Sequence, residues 1–143
     1  MKNYSMMMLA LTLCVLLGCG KGYVPMSGTV TFSDNGSPLP RGTVVFVSGP
    51  HFARGHLDEQ GHYTVSFDSP GSGLPKGTYE VYVTDALAVA GYVREANSTG
   101  ISERPTYKNL IDTKFNSVST SGLSLVVDGS SKTFDFKVDR SKH

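Results

Sequence analysis

Leu123-Ser124-Leu125-Val126-Val127-Asp128-Gly129-Ser130-Ser131-Lys132-Thr133-Phe134-Asp135-Phe136-Lys137-Val138 is the stretch whose reading decides the fold. Leu123, Leu125 and Val127 alternate with Ser124 and Val126, and Phe134, Phe136 and Val138 alternate with Asp135 and Lys137. Successive side chains of a strand point to opposite faces, so a period of two gives each run one apolar face. Asp128-Gly129-Ser130-Ser131 between them suits a tight turn, and the two runs read as a β-hairpin.

The same period recurs upstream. Gly28, Val30 and Phe32 alternate with Ser27, Thr29 and Thr31 ahead of the turn residues Asp34-Asn35-Gly36-Ser37. Val44 and Phe46 alternate with Val45 and Val47, a strand apolar on both faces and therefore central. Ala53, Gly55 and Leu57, the turn Asp58-Glu59-Gln60-Gly61, and Tyr63, Val65 and Phe67 read as a second hairpin. Residues 68–77 are rich in Gly and Pro and lead into Tyr79, Val81 and Val83 alternating with Glu80 and Tyr82. Helical periodicity is nearly absent. The expectation is all-β: a seven-stranded immunoglobulin-like (transthyretin/prealbumin-like) β-sandwich over residues 26–143.

Residues of about 84–118 break the rhythm. Asn97-Ser98-Thr99-Gly100 and Pro105 interrupt any regular element, so an irregular insertion is expected, serving as a functional surface or a mobile segment. Tyr82, Tyr92 and Tyr107 are the candidate ligand-binding residues, since an exposed tyrosine offers an apolar ring with a polar tip.

The first eighteen residues do not belong to this domain. Lys2 is their one charge, and the apolar run Met6-Met7-Met8-Leu9-Ala10-Leu11-Thr12-Leu13-Cys14-Val15-Leu16-Leu17 has the form of an export signal. It falls short of the ~20 residues a membrane-spanning helix requires. Leu16, Leu17 and Gly18 followed by Cys19 resemble the lipobox of bacterial lipoproteins, in which the cysteine receives diacylglycerol before cleavage. That resemblance implies a signal peptide over residues 1–18, lipidation at Cys19 and a lipidated tether over 19–25. With Gly20 rather than Asp after the cysteine, it also implies export and anchoring at the outer membrane, on its periplasmic face or at the cell surface. Acyl chains contribute ~0.8 kcal/mol per buried methylene, so they hold a domain at a membrane without a transmembrane helix. Beyond residue 18, twelve basic side chains balance twelve acidic ones. That balance excludes nucleic acid as a partner and leaves membrane attachment to the lipid.

Four stretches resemble small planctomycete-type lipoproteins carrying a carboxypeptidase-regulatory-like or transthyretin-like domain. They are Val24-Pro25-Met26-Ser27-Gly28-Thr29-Val30-Thr31-Phe32 with Pro38-Leu39 and Gly42-Thr43-Val44-Val45-Phe46; Asp58-Glu59-Gln60-Gly61-His62-Tyr63; Leu74-Pro75-Lys76-Gly77-Thr78-Tyr79-Glu80-Val81; and Lys114-Phe115 with Thr120-Ser121-Gly122-Leu123. The resemblance implies a β-sandwich with no catalytic residues and no cofactor. Its expected role is a structural or protein-interaction module, with the membrane bound through lipid and other envelope proteins or glycans as partners.

Two other classes of function have footholds in the residues. A carbohydrate- or peptide-binding module would use Tyr82 and the 84–118 segment. A metal-dependent hydrolase would use His56, His62 and Asp58, which cluster around one hairpin and would have to converge on one point. No Gly-x-Ser-x-Gly elbow and no phosphate-cradling loop is present, and no metal site is expected.

Overall fold

A computed structural model describes residues 22–97 and 99–142. Residues 1–18, where a signal peptide is expected, the lipobox-like Leu16, Leu17 and Gly18, and Cys19 lie outside the described residues. The strands are β1 (Tyr23–Val24), β2 (Ser27–Phe32), β3 (Thr43–Ser48), β4 (His51–His56), β5 (His62–Thr64), β6 (Leu74–Pro75), β7 (Gly77–Thr84), β8 (Leu87–Asn97), β9 (Gly100–Asn109), β10 (Leu123–Val127) and β11 (Phe136–Val138). A 3-10 turn at Thr113–Asn116 and the single helical turn α1 (Val118–Ser121) are the helical elements among the described residues.

Two sheets face one another as an immunoglobulin-like sandwich: a four-stranded sheet in the order β10-β7-β3-β4 and a three-stranded sheet in the order β11-β2-β5. Every alternating run read in the sequence supplies one of these seven strands. Val44, Phe46, Tyr79, Val81, Val83 and Val127 point inward from the larger sheet, and Val30, Phe32, Tyr63, Phe136 and Val138 from the smaller. Phe46 joins the layers, its ring centroid 6.0 Å from that of Tyr63 and 6.4 Å from that of Phe134. β3 is central, between β7 and β4, as its two apolar faces require.

The pairing of the strands departs from the sequence reading in three places. β10 and β11 form no hairpin: β10 runs antiparallel to β7 and β11 runs parallel to β2, in the opposite layer. Each strand aims its apolar residues at the same core, and an open sheet edge on either layer satisfies that equally well. β4 and β5 likewise divide between the layers, pairing with β3 and β2. They share a single bridge, in which Arg54 and Ser66 exchange backbone bonds of 3.0 and 2.8 Å. The crossover turn is tight. Asp58 Oδ1 accepts from the amides of Gln60 and His62, each at 2.9 Å, and Gly61 takes φ 74° with its α-carbon facing Val30 O so closely that a β-carbon would stand 2.5 Å from it.

The third departure is the 84–118 segment, which is not irregular. It holds β8 and β9, a long antiparallel hairpin whose last pair is Asn97 with Gly100, followed by the 3-10 turn. Both faces of this arm are largely exposed, so no burial enforced the apolar-polar alternation by which the other strands were legible. Its root is fixed by buried Ala86 and Ile111, a 2.8 Å bond from Leu110 N to Ala86 O, and a bond from Arg41 to Leu87 O.

The sandwich has two distinct ends. β1 pairs with β6 just ahead of the first residue of β7, and Tyr23 meets Phe67 edge-on at 5.4 Å, so the chain enters at the Gly77 end. The arm leaves at the opposite end of β7, where Thr84 pairs with Thr43 and Leu57 N bonds to Gly42 O.

Candidate functional site: the outer sheet face and the arm

Tyr82 lies on the face of the four-stranded sheet that points away from the core. Register places Val45 beside Tyr82 and Arg54 beside Val45, with Thr84, Thr43 and His56 forming the next row. A cavity of about 170 Å³ lies here, lined by Thr43, Val45, Arg54, His56, Tyr82, Thr84 and Asp85. His56 Nδ1 and Thr43 Oγ1 are 3.1 Å apart. The Arg54 guanidinium stacks 4.6 Å from the Phe52 ring centre and, among the described residues, pairs with no carboxylate. Asp85, which closes the cavity toward the arm, has φ 58°, alone among non-glycine described residues in that region, and accepts a 2.9 Å bond from Thr84 Oγ1. An aromatic ring beside a cation and two hydroxyls can receive a small polar ligand with one apolar face.

Phe52, Arg54, His56 and Thr43 join Tyr82 only through strand register. They were not singled out as its companions in the sequence, where the nearest is twenty-six residues away. The Tyr63 hydroxyl, in the core, serves structure. Burial, and after it the nearby Asp135 charge, holds the Tyr63 hydroxyl well above the ordinary tyrosine range, and that hydroxyl donates to Phe134 O at 2.6 Å, passing over Gly28 of β2 within the smaller sheet.

Tyr92 and Tyr107 sit elsewhere, on the arm. Tyr107 lies opposite Val89, and Tyr92 lies opposite Pro105. A bulge at Ala90 shifts the register, so that Tyr92 falls on the same arm face as Val89 and Tyr107 rather than on the other side. Further along that face Arg94 faces Glu103, with Arg94 Nε 2.7 Å from Glu103 Oε1, and Ala96 faces Ile101. Ile101, Tyr92 and Tyr107 are 75%, 66% and 58% exposed.

The hydrolase residues divide their bonds. His56 bonds to Thr43, while His62 Nδ1 stands 3.7 Å from Asp58 Oδ2 and Asp58 Oδ1 is occupied by the turn amides. Among the described residues no three His, Cys, Asp or Glu side chains are grouped so as to hold a metal ion. No described helix is long and apolar enough to cross a membrane.

No protein-family model matches the chain, and no curated protein is significantly similar to it. Among solved structures, it is similar to the major pilin subunit BcpA of Bacillus cereus, with 14% identity and a TM-score of 0.41 over 84% of this chain. It is also similar to a 9R-lipoxygenase from Cyanothece PCC8801, with 16% identity and a TM-score of 0.33 over 80% of this chain. The aligned region spans 30% of the pilin and 16% of the lipoxygenase.

Proposed function

We propose that this chain is a lipid-anchored, non-catalytic β-sandwich of the bacterial cell envelope that serves as a protein-interaction module. The observation that carries the reading is the opposition of the two ends: the chain enters the sandwich through β1 at one end, and the exposed arm leaves from the other. A domain held by lipid at Cys19 would therefore turn its most exposed apolar surface away from the membrane that holds it. The lipobox-like Leu16-Leu17-Gly18-Cys19 supports the anchor. The test is to label cells with a fatty-acid analogue and fractionate them, comparing the native chain with Cys19→Ala. Label on the native chain, with Cys19→Ala unlabelled and released from the membrane, is the expected result; equal membrane retention without label defeats the anchor.

A second reading is favoured by the cavity over Tyr82, where Arg54 has no carboxylate partner among the described residues. There the domain would bind a carbohydrate or peptide with an anionic group. Screening against acidic and neutral glycans, with Tyr82→Ala and Arg54→Gln as controls, decides it. Retention of acidic glycans by the native chain alone is expected, and no retention removes this reading.

A further inference from the structure

We propose that the partner of the arm is a second copy of this chain. The two arms pack face to face and parallel, Arg94 of one opposite the partner's Glu103. This names the partner of the interaction module proposed above and rests on that reading, while the contact itself needs no lipid.

The arm carries two different faces. One presents Val89, Tyr92, Ala96, Ile101, Pro105 and Tyr107, with Arg94 and Glu103 as its one charged row. The other presents Glu95, Arg104, Lys108 and Thr106 around Val93 and Ala88, with Arg104 and Glu95 3.6 Å apart. The first face is the unpartnered apolar one. β8 and β9 pack chiefly on each other, and Val89, Tyr92, Ile101 and Tyr107 of this face stay exposed.

Three candidate occupants can be weighed on the residues. A membrane would have to approach from the end of the sandwich away from the tether. An added strand would need an unbroken edge, and Pro105 removes one donor from β9, a residue tolerated in strands where its missing N–H would face outward. A second copy fits without either difficulty, because the face is complementary to itself about a two-fold axis running along the arm. That axis keeps each row at its level and exchanges the strands. Arg94 then meets the partner's Glu103, Tyr92 meets the partner's Pro105, Val89 meets the partner's Tyr107, and Ala96 meets the partner's Ile101. Apolar rows meet apolar rows, and the charged row closes into a ring of alternating sign. In the antiparallel alternative, sliding the charged rows onto each other sets Arg94 on the partner's Arg94. Parallel arms also leave both sandwiches, and both tethers, at the same end, as two molecules anchored in one membrane require.

The size of the surface sets the strength. Ten residues per strand at ~3.4 Å and a width of ~10 Å give about 350 Å² per copy, or about 700 Å² in all. A stable dimer commonly buries about 1,200–2,000 Å². The association is therefore weak in solution, and confinement by a common anchor would raise its occupancy through effective concentration.

The full chain in detergent, followed by sedimentation from micromolar to millimolar concentration, provides the test. The native chain is expected to move from monomer to dimer in that range. Arg94→Glu and Glu103→Arg each place like charges across the two-fold, and each is expected to weaken association about tenfold or more. Mixed together the two variants restore opposite charges at both positions, so the mixture is expected to dimerise like the native chain. A monomeric native chain at millimolar concentration overturns the proposal, as does a mixture no tighter than either variant alone. Both variants must keep the native thermal midpoint, which their exposed positions permit. Cys19→Ala separates this from the anchor: a released chain that still dimerises upholds both, and a chain that dimerises but is still retained on the membrane defeats the anchor alone.

Discussion

At Gly28, on the inward face of β2, there is no room for a side chain. A β-carbon there would lie 2.1 Å from Phe134 O and 2.8 Å from the Tyr63 hydroxyl, the two atoms that bond over β2 within the smaller sheet. Gly28→Ala must therefore push β11 off β2 or break that bond. Overpacking of this kind costs ~1–3 kcal/mol, and a lower urea midpoint with an unchanged slope is expected. Asp139 acts at longer range. Its carboxylate accepts from Lys114, first among the causes holding it below the usual carboxylate range, and also from Ser33. The folded state thus binds fewer protons there than the unfolded chain does. The resulting stability is fully present above the unfolded aspartate value of ~3.9 and fades as pH falls through the lower folded value. Asp139→Asn should lower the urea midpoint at pH 7, and the gap from the native chain should narrow progressively below about pH 4.

At the scale of elements, the strands that bury one face were legible and the arm was not. Val30, Phe32, Val81 and Val83 alternate with polar residues because water and core lie on opposite sides of their strands. On β8 and β9 both sides meet water, so the sequence carries no such constraint. The bulge then shifts what periodicity there is by one residue. Deleting Ala90 removes the bulge but leaves Tyr92 opposite Pro105 and Arg94 opposite Glu103, so Tyr92, Arg94 and Ala96 should stay on the face of Val89 and Tyr107. The expected outcome is that concentration-dependent dimerisation persists, with a thermal midpoint within about 3 °C of native, since the arm adds little to the core. Of the three candidate tyrosines, Tyr82 belongs to the sandwich and the other two to the arm. No local signal could join or part them, because the distance between them is set by where β7 ends.

At the scale of the whole molecule, the sandwich should stand without the arm. The core is one cluster, and Ala86, Ile111 and Phe115 close it beneath the root of the arm. An isolated two-stranded hairpin is marginal in water, so its removal should cost the domain little. A chain in which residues 89–107 are replaced by Asn-Gly should melt within about 3 °C of native and remain monomeric at every concentration. A fall of the midpoint by more than about 10 °C would instead make the arm part of the fold.

The sequence alone determined that the chain is a β-sandwich and which residues face its core. Both follow from local alternation, since the period of a strand is written in neighbouring residues. It also determined the tight turn at Asp58–Gly61 and the central place of β3, apolar on both faces. Only the tertiary structure decided which strands are partners, that β10 and β11 stand in opposite sheets, and that Arg54 and His56 share a face with Tyr82. Alternation states that a side chain must be buried and not against what; the partner is chosen by the packing of the whole core and by which sheet edges remain open. The opposition of the entry point and the arm is a property of the same kind, because it depends on the direction of β7 relative to every other strand.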